Sequence, residues 1–278
     1  MGVLSAAEAV VLGVVEGVTE FLPISSTGHL VVTSGLLGLP DAGPAGDAVT
    51  SYEIAIQGGA ILAVFVLYRH RLAVMAEGLV GTSRTGRRLA LAVLGAFVPS
   101  ALVGVASERW IKGVLFGAWP VAAAWLVGGL AVLALARTGR LGPHGGRPLE
   151  TVGTRDALVI GAAQVLALWP GTSRSLVTIV AALLVGLSMA AAVEFSFLLG
   201  FVTLGAATTY EAVRNGTLML DSFGWFTPLL GFVVAFVSAA LAIRWMVGYL
   251  TRHDLAIFGW YRIGIGLVTV ALLVGGVL

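Results

Sequence analysis

Apolar residues in this chain are gathered into long runs, and six of these runs are long enough to cross a membrane. They lie at about 53–69, 88–106, 115–136, 189–210, 224–250 and 256–278. Crossing a hydrocarbon core of roughly 30 Å takes about 20 helical residues, and a segment isolated in lipid must satisfy its own backbone hydrogen bonds. The pattern therefore predicts an all-α polytopic membrane protein with six transmembrane spans.

Two further apolar regions, 4–39 and 156–187, are each interrupted by a polar string that begins with proline. The strings are Pro23-Ile24-Ser25-Ser26-Thr27-Gly28-His29 and Pro170-Gly171-Thr172-Ser173-Arg174-Ser175. Irregular backbone at membrane depth is tolerated only inside protein or beside water. We therefore expect each region to form a re-entrant helical hairpin that enters and leaves by the same face.

The order of these elements repeats along the chain. Glu16 precedes Pro23 much as Gln164 precedes Pro170, and three spans follow each interrupted region. A hairpin plus three spans crosses the membrane an odd number of times, so the second copy would be inserted upside down. The sequence predicts one membrane domain, 1–278, that consists of two inverted repeats, 1–136 and 137–278.

Basic residues between the spans predict the orientation. Eleven lie on one side of the predicted membrane and three on the other. The larger group is Arg69, Arg71, Arg84, Arg87, Arg88, Arg137, Arg140, Arg147, Arg155, Arg244 and Arg252, and the smaller is Arg109, Lys112 and Arg214. Because positive charge is retained in the cytoplasm, both termini and the mouth of the first hairpin would lie outside, and the two hairpin tips would meet near mid-membrane.

Composition agrees with a membrane protein and excludes other classes. Hydrophobic residues make up 58% of the chain and charged residues 11%, against about 25% charged in soluble domains. Disordered, coiled-coil and nucleic-acid-binding proteins are excluded, so we expect the bilayer and no nucleic acid as a partner. With no cysteine, the chain has no disulfide, thiolate metal site or cysteine nucleophile.

Two carboxylates, Glu16 and Glu20, stand about one helical turn apart in the first interrupted region. An intramembrane carboxylate costs several kcal/mol unless it faces a cavity or a partner. A confined pair suits acid–base chemistry, or the binding of a divalent cation such as Mg²⁺ or Ca²⁺ together with phosphate oxygens. The alternative is an interfacial pair in contact with water.

Hydroxyl groups follow these carboxylates in the sequence. Ser25, Ser26 and Thr27 lie two to four residues before His29, and a hydroxyl that attacks or orients a phosphate needs such a neighbour. These side chains could instead cap the half-helix that begins there. The two roles are compatible, since a helix N-terminus is itself an anion site.

Arg174 is the most informative single residue of the second interrupted region. A guanidinium in a membrane hairpin, flanked by Ser173 and Ser175, suits a phosphate or carboxylate bound through two parallel hydrogen bonds. The alternative is a structural ion pair with a glutamate of the first region or with Glu194. If the two tips meet, acid, hydroxyl, imidazole and guanidinium combine in one place, which predicts phosphoryl chemistry on an anion delivered from the membrane.

Three other polar residues are weaker candidates for surrounding that site. Glu53 and Gln57 are one helical turn apart and would line the same cavity, although Glu53 could equally be interfacial. Glu194 is expected either to support the site or to belong to a buried ion pair.

Several strings resemble those of the undecaprenyl-diphosphate phosphatases associated with bacitracin resistance. The most specific run from Gly13 to Leu30 and from Leu166 to Ser175, and weaker ones begin at Ile56, Glu194 and Trp260. The resemblance covers nearly the whole chain. It implies a bacterial plasma-membrane enzyme, with its active site open to the outer face, that removes the terminal phosphate of the C55 diphosphate lipid carrier. The monophosphate would return to peptidoglycan synthesis, and the activity would confer bacitracin resistance.

The resemblance also implies roles for residues at matching positions. The catalytic set would be Glu16, Glu20, Ser26, His29 and Arg174, and the groups binding the polyprenyl diphosphate would be Ser25, Thr27, Gly171, Thr172, Ser173 and Ser175. One departure is Leu176, which stands where the family usually has glycine and adds bulk where the backbone would approach the diphosphate.

Several alternatives stay open at this point. Either Ser26 or a water could attack the phosphorus, and a homodimer is neither required nor excluded. A lipid-phosphate flippase is the rival function, because inverted repeats with broken helices are also a transporter design. A catalytically weakened lipid-binding paralogue is a second rival, which Leu176 keeps open.

Overall fold

The computed structural model describes residues 4–142 and 145–278, and in this part the regular secondary structure is helical, without strands. The α-helices are α1 (Ala6–Phe21), α2 (Ser26–Leu36), α3 (Gly43–Leu67), α4 (Arg69–Leu79), α5 (Arg84–Val114), α6 (Ala118–Ala136), α7 (Thr154–Gln164), α8 (Arg174–Leu184), α9 (Met189–Phe223), α10 (Phe226–Leu250) and α11 (Ala256–Val274). Two short 3-10 helices lie at Leu149–Thr151 and Val165–Leu168.

The prediction of six spans is confirmed for the described residues. Helices α3, α5, α6, α9, α10 and α11 are long and apolar enough to cross a membrane. Helix α9 ends at Phe223 rather than near residue 210, and the first span begins at Gly43 rather than near residue 53. Pro44 occupies the first turn of this helix, where its fixed φ is favourable, and polar Asp47 and Ser51 in the following turns hide the helix from a hydropathy pattern.

Both interrupted regions form two helices separated by a short break. The first break separates α1 from α2 and the second separates α7 from α8. Ser25 caps α2 and Ser173 caps α8, each through a side chain that accepts a hydrogen bond from the amide three residues later. These two serines, with φ of 76° and 73°, are the non-glycine residues of positive φ in the described chain. That both segments re-enter the membrane, and that the two halves are inverted repeats, stays a prediction.

Close helix packing brings the two breaks into contact. Helix α1 lies along α10, and a Cβ at Gly17 would collide with the backbone of Ala235. Helix α8 packs on α9 within the largest apolar core. The Ser175 hydroxyl then donates to the Leu22 carbonyl at 2.9 Å, which joins the second break to the first. The polar strings are therefore assembled into one place by packing of small and apolar residues.

Candidate active site

Three of the expected catalytic side chains form one chain of hydrogen bonds where the breaks meet. The Ser26 hydroxyl donates to Oε2 of Glu20, and Oε1 of Glu20 accepts from Arg174 Nη2 at 3.2 Å. The Glu20 and Arg174 side chains are only 5% and 10% exposed. Of the alternatives left open for Arg174, the structure has the ion pair with Glu20. The arrangement places a proton acceptor on the hydroxyl and a guanidinium beside both.

The Arg174 guanidinium is held by a small set of groups from Ser196, Phe21 and Gly200, which we call its seat. Its Nη1 donates to the Ser196 carbonyl at 3.0 Å, and its carbon lies over the Phe21 ring, 5.4 Å from the centroid. Gly200 faces the guanidinium so closely that a Cβ there would collide with it. Nε, in contrast, is buried and has no hydrogen-bond partner in the part of the chain that the structure describes. The seat fixes the orientation of the fork and leaves one donor for an additional acceptor.

The seat predicts a specific effect of Gly200→Ala. The added methyl group meets the flexible end of Arg174 rather than backbone, so the guanidinium shifts while the helix remains intact. Misplacement of a catalytic group by about 1 Å can cost on the order of a hundredfold, and we expect a loss of that size in kcat/KM with little change in Tm.

Gly205→Ala is the matched control for this variant. It lies on the same helix, where a Cβ would meet nothing within 4 Å, and its activity should equal that of the unmodified chain. Equal activities of the Gly200 and Gly205 variants would show that the seat does not matter.

Glu16 lies beside this chain of hydrogen bonds. Of the two carboxylates expected to bind a divalent cation, Glu16 and Glu20, it is the one whose oxygens remain available. Both of its carboxylate oxygens are buried and have no hydrogen-bond donor among the described residues. The charges of Glu20, Glu53 and Arg174 act on it. Within 4–142 and 145–278 no group of three His, Asp or Glu could hold a metal ion. A divalent cation on Glu16 and Glu20 would thus need phosphate oxygens to complete its ligands, as the sequence suggests.

Both ring nitrogens of His29 bond to groups other than the Ser26 hydroxyl. Its Nδ1 lies 2.6 Å from the Ser25 carbonyl, which can only accept, so Nδ1 carries the proton. Nε2 lies 2.8 Å from the Tyr261 hydroxyl and, in the neutral ring, accepts from it. The Ser26 hydroxyl therefore donates to Glu20 and not to His29, because both nitrogens of the imidazole already have other partners.

The expected phosphate-binding residues divide into two groups. Ser173 and Ser175 are buried and tied to each other at 3.0 Å, while the Gly171 carbonyl accepts from Arg262 at 2.8 Å. Ser25 is likewise buried and caps α2. Thr27 and Thr172 are half-buried at the two breaks. Most of the hydroxyls therefore hold the breaks in shape in this structure.

The weaker candidates separate in space. Glu53 accepts from Ser34 at 2.7 Å and acts electrostatically on Glu16, so it belongs to the surroundings of the site. Gln57 accepts from Thr208 at 3.1 Å. Glu194 accepts from Arg71 at 2.7 Å and 3.4 Å, which is the ion-pair alternative.

Arg71 also bonds Glu150 at 2.9 Å, outside the spans. The pKa of the Glu150 carboxyl is lowered first by its own backbone amide and then by Arg71. Glu194 is thus part of a three-residue ion cluster, with Arg71 as its charged partner rather than Arg174.

Residues 9–268 match the protein family described as bacitracin resistance protein BacA. The chain belongs to this family. An undecaprenyl-diphosphatase of Sorangium cellulosum is 48% identical over 93% of this chain and 83% of that protein. Undecaprenyl-diphosphatase 1 of Chromobacterium violaceum is 44% identical, over 94% of this chain and 93% of that protein. The undecaprenyl-diphosphatase of Nitrosomonas europaea is also 44% identical, over 94% and 92%. The resemblance carried by the motifs is confirmed.

The unusual Leu176 does not fill the site of this BacA-family protein. Its side chain is 4% exposed and packs in the apolar core, while its backbone continues α8. The bulk that the sequence suggested beside the diphosphate is directed into the protein instead. The departure from the usual glycine therefore gives no support to a weakened paralogue.

Several residues that shape the site were not among the expected site residues, although Phe21, Tyr261 and Arg262 lie within the matching strings. Phe21 and Gly200 seat Arg174, and Trp125 Nε1 donates to the Ile24 carbonyl of the first break at 2.8 Å. Tyr261 and Arg262 contact the breaks from the last span. The available signal was Arg262 itself, a charged residue within an apolar run, since lipid would reject it.

Proposed function

We propose that this chain hydrolyses undecaprenyl diphosphate to undecaprenyl phosphate and inorganic phosphate. The observation that carries the proposal is the Ser26–Glu20–Arg174 chain of hydrogen bonds, which provides a nucleophile, its base and a phosphate ligand. The substrate is suggested by relatives named undecaprenyl-diphosphatase, at 41–48% identity. Hydrolysis recycles the carrier for peptidoglycan synthesis and confers resistance to bacitracin.

Binding of the diphosphate uses groups that already face the breaks. Arg174 offers the unpartnered Nε and shares Nη2 with Glu20, which together make the bidentate fork that suits a phosphate. Helices α2 and α8 begin at Ser26 and Arg174, so their first amides add positive potential at the same point. These groups stabilise the charge that develops on the terminal phosphoryl oxygens.

Ser26 attacks in the first step. Its Oγ forms a bond to the terminal phosphorus, the bond from that phosphorus to the bridging oxygen breaks, and undecaprenyl phosphate leaves. The Ser26 proton passes to Glu20. In the second step a water attacks the phosphoserine, Ser26 leaves with the proton from Glu20, and one water proton goes to bulk solvent. Phosphate is released, and both residues return to their starting states.

A divalent cation would be held by Glu16 and Glu20. Glu16 suits this role because no donor from the described residues bonds to its two buried oxygens. When bound, such an ion would neutralise charge on the phosphate oxygens. Removal of divalent ions with a chelator should then lower activity, and Glu16→Gln should lower the response to added Mg²⁺ or Ca²⁺.

The same proposal includes the topology of two inverted repeats in the bacterial plasma membrane. Its support is the match between the breaks, since Glu16 and Gln164 each lie nine residues before a serine of positive φ. The unequal distribution of basic residues among the segments between the spans also supports it. By the positive-inside rule, the arginine-rich side would be cytoplasmic, and both termini and the mouth of the site would lie outside.

Phosphate release from C55 diphosphate by the purified chain tests the proposed function. The unmodified protein should release phosphate, and Ser26→Ala should lose at least about a thousandfold in kcat. A rapidly quenched reaction should trap phosphoserine in the unmodified protein and not in Ser26→Ala. Ser222→Ala, whose hydroxyl bonds only within its own helix at Leu218, is the control.

Each contrary outcome has a distinct meaning. Full activity of Ser26→Ala would exclude attack by the serine and would mean that a water attacks the phosphorus directly. No phosphate release from well-folded protein, together with movement of the lipid between vesicle leaflets, would support the flippase.

A further inference from the structure

Two adjacent residues of α11, Tyr261 and Arg262, each contact one of the two breaks. Tyr261 donates to His29 Nε2 at 2.8 Å, and His29 Nδ1 in turn donates to the Ser25 carbonyl at 2.6 Å. Arg262 Nη2 donates to the Gly171 carbonyl at 2.8 Å. Both sets of hydrogen bonds therefore end on backbone carbonyls of the breaks.

Each break contains a serine whose backbone conformation residues other than glycine rarely adopt. Ser25 has a φ of 76°, which is unfavourable for such a residue and persists only when the surroundings require it. In the second break Ser173, two residues after Gly171, has a φ of 73°. Ser25 immediately precedes Ser26, and Gly171 lies three residues before Arg174. A change at either carbonyl would move one of the two reacting side chains relative to the other.

The surroundings of Arg262 are unusual for a residue that only fills space. Its side chain is fully buried, and Nε and Nη1 have no hydrogen-bond partner within 4–142 and 145–278. Nη2 also donates to the Ala124 carbonyl at 2.9 Å, and Gly128 leaves the room that the guanidinium occupies. A protein with a buried, incompletely paired charge is generally less stable than one with an apolar residue of similar volume at that position. The free-energy cost of burying this guanidinium indicates that Arg262 has a specific role. Its hydrogen bond to the Gly171 carbonyl of the second break is the contact that can provide such a role.

We propose that Tyr261 and Arg262 are positioning residues through which α11 holds both breaks and so keeps Ser26 aligned with Arg174. Tyr261 acts on the first break through His29, and Arg262 acts directly on the second. In this arrangement His29 orients the backbone before Ser26. The catalytic consequence rests on the proposed phosphatase function, whereas the mechanical consequence does not.

Amide hydrogen exchange of the full-length chain in lipid nanodiscs tests the mechanical part. Tyr261→Phe keeps the ring stacked on His29 but removes its donor, so exchange should rise several-fold in 23–29 and stay unchanged in 170–176. In Arg262→Lys, exchange should rise several-fold in 170–176 and stay unchanged in 23–29. Tyr249→Phe is the matched control, because Tyr249 also stacks on a histidine, His253, at 4.3 Å between ring centroids and lies away from the breaks.

The distribution of exchange decides this part of the proposal. It is overturned if neither variant changes the breaks, or if each variant loosens both breaks equally. Gly128→Ala offers an independent probe, since it retains every donor and the three atoms nearest to the added Cβ all belong to the Arg262 guanidinium. Faster exchange in 170–176 is expected for this variant, and none for Gly264→Ala, where a Cβ would meet nothing within 4 Å.

Turnover of C55 diphosphate tests the catalytic part. One lost hydrogen bond is worth about 1 kcal/mol, so Tyr261→Phe should lower kcat by about fivefold, with KM unchanged and Tm lowered by no more than about 2–4 °C. Arg262→Met should be less active than Arg262→Lys, which retains one charged donor. A larger fall in Tm with parallel loss of kcat and of folded protein would indicate a purely structural role. Unchanged kcat with faster exchange would overturn the positioning role, whereas an inactive unmodified chain would contradict the proposed function alone.

Discussion

Arg174→Ala is expected to lower kcat/KM for phosphate release by about a thousandfold or more. The residue is the guanidinium at the junction of the two breaks, and its unpartnered Nε is available to the terminal phosphate. Loss of one preorganised donor at a developing oxyanion costs about 10²- to 10³-fold, and a fork supplies two. Steady-state phosphate release by purified variants measures the effect.

Arg174→Lys separates the fork geometry from the charge. A lysine keeps the positive charge but cannot bind phosphate through two parallel hydrogen bonds, so most of the activity should still be lost. Arg244→Ala, at an exposed arginine of α10, should have unchanged activity. Near-normal turnover by Arg174→Lys would show that charge alone suffices.

Glu20→Gln is the second change with a large expected effect, because it removes the base of Ser26 and the counter-ion of Arg174 at once. General-base assistance contributes about 10²- to 10⁴-fold, and activity should fall within that range. The same change leaves a buried guanidinium unpaired, which should also lower the free energy of unfolding by about 3 kcal/mol. Phosphate release and thermal unfolding in the same detergent measure the two effects.

The double variant Glu20→Gln/Arg174→Gln separates catalysis from stability. With both charges removed, no unpaired ion remains buried, and stability should recover relative to Glu20→Gln. Activity should remain absent, since base and phosphate ligand are both lost. Recovery of activity together with stability would mean that neither Glu20 nor Arg174 takes part in the reaction and that the pair acts only through folding.

The spans and breaks could be predicted because lipid imposes the same requirement at every position of a crossing helix. The exception is informative: the first turns of α3 carry Asp47 and Ser51, and the helix begins there because of its packing and its proline rather than its hydropathy. For the site, Glu20, Ser26 and Arg174 stand out as polar groups within apolar regions. Their pairing does not, since His29 is closer than Glu20 to Ser26 along the chain and yet bonds elsewhere.

The sequence by itself determined that this is a six-span membrane protein with two broken helices, and which charges are too costly to be incidental. That follows because exclusion of polar groups from lipid acts on each residue according to its type. Only the tertiary structure decided that Glu20 joins Ser26 to Arg174, and that Tyr261 and Arg262 hold the breaks. The Glu20–Arg174 pair joins residues 154 positions apart, and Tyr261 lies 232 positions from His29. Contacts over such separations depend on how several helices pack together, which no local pattern specifies.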